Sequence, residues 1–180
     1  MTHYLLMLIL GPVLVELVGY FWHRIVEHRG LLGHFFSERH IVHHEHDYPI
    51  DHLRRRSKYK SSQSWTWHFI GVISAIVMII VLPLDLAVVL ISSCSLYIFL
   101  IISNLHKAYH IENHWLSRFA WFRKMLKLHD IHHYQNTNYG ICFFVMDRIF
   151  GTYSEEMPED GKQNLFFFTS DSHSRGTRQV

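Results

Sequence analysis

Two segments of this chain repeat one spacing of imidazoles. Glu38–Asp47 carries His40, His43 and His44 as a His-x-x-His-His box, and His129, His132 and His133 restore that box near the other end. On an α-helix, the positions three and four residues on lie about −60° and +40° around the axis, so the three rings share one stripe. Such a stripe is costly on a buried face unless something binds it. Neutral imidazole binds iron, zinc, copper or nickel, so the natural chemistry is metal ligation.

Further histidines extend the set. His23 and His28 close the first apolar run, and His110 and His114 follow the third. Ten imidazoles exceed what one tetrahedral zinc takes and suit two metals with about five nitrogens each. His110 and His114 are four apart and share a helix face. His23 and His28 are five apart, about 140° around an ideal helix, so they approach different metals or the helix ends between them. His106 and His34 are weaker candidates. His3, His68 and His173 stand alone and read as structural or exposed. Asp47, Asp51 and Asp130, with Glu38, Glu45 and Glu112, are candidates for orienting imidazole rings. Asn138, Tyr139 and Asp147 are expected to shape a turn and support ligands. No Gly-x-Ser-x-Gly elbow, His-Glu-x-x-His motif or phosphate-cradling glycine loop occurs.

The elements that must position these residues are apolar. The chain is 180 residues long, 49% hydrophobic, 15% aromatic and carries 17 histidines, with long apolar runs alternating with basic, histidine-rich stretches. This predicts an all-α integral membrane protein with about three transmembrane or re-entrant helices and a cytosolic helical cap. Residues 1–155 read as a single membrane-embedded domain and 156–180 as a polar, partly disordered tail. Tyr4–Trp22 is long enough, at about 28 Å, to cross a bilayer core. A cleaved signal peptide would want a basic start and a small-residue cleavage site, but bulky Tyr20, Phe21 and Trp22 follow here. Phe69–Leu82, the turn candidate Pro83-Leu84-Asp85 and Leu86–Ser103 form a hairpin, with a first arm short enough to be re-entrant. A helix over Phe35–Tyr48, stopping before Pro49, carries the first box. Trp115–Leu128 reads either as a helix in the headgroup plane or as a core helix. Cys94 and Cys142 imply no disulfide framework.

Topology then joins the two boxes. One crossing puts His23–His52 on one face, and a hairpin returns His106–His133 to it. The basic residues Arg54–Lys60, Arg118, Arg123, Lys124 and Lys127 lie on that face, which the positive-inside rule makes cytoplasmic, in a bacterial inner membrane or the endoplasmic reticulum. A net charge of +2 does not point to nucleic acid.

The series His23/His28, His40/His43/His44, His110/His114, His129/His132/His133 resembles the fatty acid hydroxylase/sterol desaturase superfamily. His132-His-Tyr-Gln-Asn-Thr-Asn-Tyr-Gly140 and Met146-Asp-Arg-Ile-Phe-Gly-Thr-Tyr153 are similar to that family's ending. The resemblance covers His23 to about Tyr153. It implies a non-haem di-iron centre, with zinc possible in purified material, and O2 as co-substrate. It further implies a lipid substrate from the bilayer and a separate electron donor such as cytochrome b5 or a ferredoxin, since no such domain is fused. Pro49, Asp51 and Arg54 after the first box resemble the fatty acid 2-hydroxylase branch and tilt the expectation to a fatty acyl chain. Two departures are one apolar run, rather than a hairpin, before the first box, and Met146 where Trp is usual. The alternatives are a sterol- or carotenoid-type desaturase or hydroxylase on this scaffold, and a non-catalytic membrane metal-binding or sensing protein.

Overall fold

The computed structural model describes residues 1–55, 58–60 and 65–157. Arg56 of the basic cluster and the tail from residue 158 lie outside the described residues. Among the described residues the fold is helical with no strand; a lone bridge pairs Arg55 with Ile111. Helix α1, Thr2–Phe21, runs straight on into a π-helical stretch, Trp22–His28. After a turn, α2 (His34–Val42) likewise continues as a π stretch, His43–Asp47, which stops before Pro49 as the sequence predicts. A short 3-10 turn at Ile50–His52 leads on toward α3, Trp65–Val81. Helices α4 (Leu84–Tyr97) and α5 (Ser103–Tyr109) are joined by a π stretch, Ile98–Ile102, into one rod. A 3-10 turn at Trp115–Arg118, α6 (Ala120–Tyr134) and the short α7 (Val145–Ile149) complete the described chain.

Two rods are long and apolar enough to cross a membrane, Thr2–His28 and Leu84–Tyr109. At 17 residues α3 is shorter, about 26 Å at the helical rise. Its side chains, with Leu5, Leu8 and Ile9 of α1 and Val88, Leu96 and Phe99 of the α4 rod, are largely exposed apolar surface, as lipid-facing helices require.

Polar contacts set the register between the rods. Tyr4 Oη donates to Asp85 (2.7 Å), Ser93 Oγ to the Leu8 carbonyl (2.8 Å), and Tyr97 Oη to Glu16 (2.7 Å). Residue numbers rise together along both helices, so α1 and α4 are parallel, and α3, hairpinned to α4 at Pro83, runs against them. Close approach is possible because position 11 is glycine: a Cβ there would sit 2.7 Å from Ser93 Cβ and 3.0 Å from the Cys94 nitrogen. The two rods therefore deliver their polar ends, bearing His23, His28, His106 and His110, to one place.

Trp115–Leu128 is not one helix. His114 Nδ1 accepts from the Leu116 amide to start the 3-10 turn, and Phe119 is extended, with φ −91° and ψ 132°, before α6 begins. Helix α6 then carries the second box in its last turns.

Candidate metal centre

The histidines collect into two groups whose ring nitrogens lie within 4.8 Å of one another. Group A is His23, His28, His40, His44 and His132; group B is His43, His110, His129 and His133. Nitrogens bound about 2.1 Å from one ion are about 3.0 Å apart when adjacent and about 4.2 Å apart when opposite. In group A, His40 Nε2 lies 2.8 Å from His28 Nε2 and 3.1 Å from His23 Nε2, and His28 Nε2 lies 3.2 Å from His132 Nε2. In group B, His110 Nε2 and His129 Nε2 are 3.0 Å apart. The groups adjoin where His44 and His133 stack at 4.2 Å.

The boxes are shared crosswise. Box one gives its i, i+4 pair, His40 and His44, to group A and His43 to group B. Box two gives His129 and His133 to group B and His132 to group A. The angular spread explains this: i+3 and i+4 are about 100° apart, so a stripe wedged between two centres divides.

His23 and His28 both enter group A, against the expectation that they go to different metals or that the helix ends between them. The helix continues with i→i+5 hydrogen bonding from Trp22 to His28, which brings residues five apart onto one side. The other correction is His114. Helix α5 ends at Tyr109, so His110 and His114 share no face; His114 caps a turn beside Trp115 and Phe122 and lies outside both groups. His106, one turn before His110, borders group B instead, with its ring 5.1–5.2 Å from those of His43, His110 and His129. With it, each group has an i, i+4 box pair, one histidine of the other box and a pair from a rod's end. The pairing His106/His110 was legible as a His-x3-His spacing, but His110/His114 shows the same spacing. His34 is exposed at the start of α2.

Outer contacts aim the rings. His23 Nδ1–H donates to the Tyr139 carbonyl (2.6 Å), His132 Nδ1–H to the Thr137 carbonyl (2.9 Å), and His28 Nδ1 lies 3.2 Å from Asn136 Oδ1. One loop thus holds three group A rings. His110 Nδ1–H donates to the Leu53 carbonyl (2.9 Å), and Tyr48 stacks on that ring at 3.8 Å. A carbonyl accepts only, so each contact fixes the tautomer that leaves the Nε2 lone pair facing inward. Asn136, Thr137 and Leu53 act through oxygens that a search for acidic residues does not find.

Asn138 and Asp147 brace the loop. Asn138, fully buried with φ 52°, donates to the Leu128 and Ser154 carbonyls and accepts from the Ser154 amide; Asn tolerates this left-handed conformation better than most residues. Asp147 accepts from the Tyr139 amide (2.6 Å), the Gly140 amide (2.7 Å) and Thr152 Oγ1 (2.7 Å). Burial pushes its carboxyl up, opposed by those donors. Asp130 takes two contacts from Arg54 Nη2 (2.7 and 2.5 Å), and burial pushes its carboxyl up against the pull of Arg54. Asp47 pairs with Lys60 at 2.5 Å, while Asp51 is exposed.

The donor set fits metal ions. His40, His43, His44, His110, His129, His132 and His133 are held well below the usual imidazole range, by burial first and then by neighbouring imidazoles or Arg54. They are therefore neutral and keep a lone pair at pH 7. His43 Nε2 is buried with no hydrogen-bond partner among the described residues, a cost that a metal bond removes. An all-imidazole set suits iron, zinc or copper.

With two histidine groups at the ends of apolar helices, comparison with known families is decisive. The fatty acid hydroxylase family model matches residues 8–152. This chain belongs to the fatty acid hydroxylase family. The match runs from within α1 to the Asp147–Thr152 brace and so contains both groups. No curated protein and no solved structure matches. The family is one of oxidoreductases, hydroxylases and desaturases, that use iron, and with the two long apolar rods it makes this chain a membrane protein.

Proposed function

We propose that the protein hydroxylates a fatty acyl or related lipid chain, using dioxygen and a pair of iron ions held by the two histidine groups. The observation that carries this reading is the crosswise division of both boxes into two adjoining all-imidazole groups at the ends of membrane helices. His23, His28, His40, His44 and His132 would hold one ion; His43, His106, His110, His129 and His133 would hold the other. When bound, the iron pair supplies the reductive activation of dioxygen that attack on an unactivated C–H bond requires. One turnover consumes the lipid C–H bond, O2, two electrons and two protons, and yields the alcohol and water.

The chain's own contribution is positional. Backbone carbonyls fix imidazole tautomers, burial keeps the rings neutral, and Tyr48, Tyr109 and Tyr139 pack against the rings and limit water. The exposed apolar surface of the rods meets lipid, so a substrate chain reaches the histidine groups from the bilayer. Electrons come from a separate donor protein on the cytoplasmic side, a sidedness that the basic residues near the histidines support through the positive-inside rule. A sterol- or carotenoid-type desaturase has the same ligand needs. A metal sensor without turnover has no need of ten converging rings.

The test is lipid analysis of host membranes containing the chain and a competent reductase. Wild type is expected to give a new hydroxylated lipid and about two metals per chain. His43→Ala and His44→Ala are each expected to abolish the product and leave about one metal. Product formation by either variant would overturn the two-metal reading, and a desaturated product would transfer the site to the desaturase reading.

A further inference from the structure

Glu27 is the only acidic residue between His23 and His28 on the π stretch. It is 1% exposed, with the side chains of Thr66 and Trp67 of α3 as its hydrogen-bonding neighbours. Both neighbours are neutral, and a buried carboxylate without a cationic partner is costly, so its presence calls for a reason. Its nearest charge-complementary group is His40: Glu27 Oε2 lies 3.6 Å from His40 Nδ1. That ring's Nε2 is the nitrogen facing His23 and His28. The carboxylate therefore stands behind the ring and is not one of the converging donors.

We propose that Glu27 is the positioning residue for His40, taking the Nδ1–H of that ring when its Nε2 binds a metal, and placing a negative charge behind group A. This rests on the two-metal reading. It differs in kind from the other outer contacts that hold ring nitrogens: the Tyr139, Thr137 and Leu53 carbonyls and the Asn136 amide oxygen are all neutral. A carboxylate makes the imidazole a stronger donor, and such partners are typically worth about 10–100-fold in metal affinity. The two metals are consequently not equivalent, and the one in group A is held more tightly than its five imidazoles alone would hold it. A helix with ordinary i→i+4 bonding would not serve, because the π stretch is what lets His23 and His28 share a side while Glu27, between them, lies behind the ring of His40.

The experiment uses the full chain in detergent, with zinc as a redox-silent probe titrated against a competing chelator. Glu27→Gln keeps an acceptor oxygen and removes the charge; Glu27→Leu removes both. Wild type is expected to bind two zinc ions. Glu27→Gln should weaken one of them about tenfold, and Glu27→Leu up to about 100-fold, with the other unchanged. At the same time the metal-free Glu27→Leu protein should melt at a higher temperature than metal-free wild type, because the desolvation cost of a buried carboxyl group is gone. Opposite signs in affinity and melting temperature are the signature of positioning; a packing role would lower both. His40→Ala is the reference and should lose one zinc. If His40→Ala loses one zinc while both Glu27 variants bind two as tightly as wild type, the role of Glu27 is refuted and the two-metal reading stands. If His40→Ala retains two tight zinc ions, the two-metal assignment itself fails.

Discussion

Asp147→Asn is the sharpest probe of how the loop aims the group A rings. Asp147 is fully buried and accepts three hydrogen bonds, from the Tyr139 and Gly140 amides and Thr152 Oγ1. Asparagine has one acceptor oxygen. With that oxygen facing Tyr139 and Thr152, its new NH2 group points at the Gly140 amide, donor against donor. One charge-assisted bond is lost, at about 1.5–3 kcal/mol, and a buried N–H is left unsatisfied, at about 1–3 kcal/mol. The two surviving bonds become neutral ones of about half the strength. Relief of carboxylate burial offsets part of this, leaving a net cost of about 3–5 kcal/mol, a large share of a typical stability of 5–15 kcal/mol. For a chain of this size that is a fall of roughly 8–15 °C in melting temperature. The Tyr139 carbonyl holds His23, so affinity for the group A metal should fall as well, while group B, with no ring on this loop, should not respond. The assay is thermal unfolding in detergent together with a zinc titration. Thr152→Val serves as control; it removes the donor to Asp147 and the contact with Tyr20 Oη (2.9 Å) and should cost about 1–3 kcal/mol without touching the Tyr139 and Gly140 amides. A melting temperature for Asp147→Asn within about 2 °C of wild type, with both metals retained, would refute the brace.

Other outcomes follow from the same geometry. Gly11→Ala should lower the melting temperature, because its Cβ meets Ser93 and the Cys94 nitrogen, by about 1–3 kcal/mol as overpacking does; Ser93→Gly added to it should recover part of the loss. Arg54→Leu should cost about 1–3 kcal/mol, measured by thermal unfolding, because it strands the largely buried Asp130 carboxylate. Metal-free protein should lose stability as pH falls below about 6.5. The folded imidazoles lie below their unfolded value of 6.5, so the unfolded state takes up protons first and stability rises with pH. A pH series of melts checks this: a flat profile between pH 7.5 and about 5 would contradict burial of the uncharged rings.

The imidazoles that gather into the two groups were legible in the chain because composition and spacing are local properties. Nine of the ten predicted ligands, all but His114, fall in the two groups. The order of the apolar runs, one rod and then a hairpin, already predicted that the two boxes meet. Which imidazole serves which centre was not legible. That depends on backbone hydrogen bonding, which shifted from α to π at Trp22–His28 and His43–Asp47, and on where α5 stopped. An ideal 100° step sets His23 apart from His28 and joins His110 to His114; the folded chain does the reverse in both cases. The outer contacts were hidden for a related reason. The Tyr139, Thr137 and Leu53 carbonyls are present in every residue type, and a sequence does not distinguish a carbonyl aimed at an imidazole from one aimed at water. Glu27, one acidic residue at the end of an apolar run, had no signal of its own until packing placed it behind His40. The sequence alone thus determined which imidazoles gather and at which end of the apolar rods they do so. Tertiary structure decided their division between two centres, because direction in space is set by backbone geometry and packing, and spacing along the chain constrains it only while the helix stays ideal.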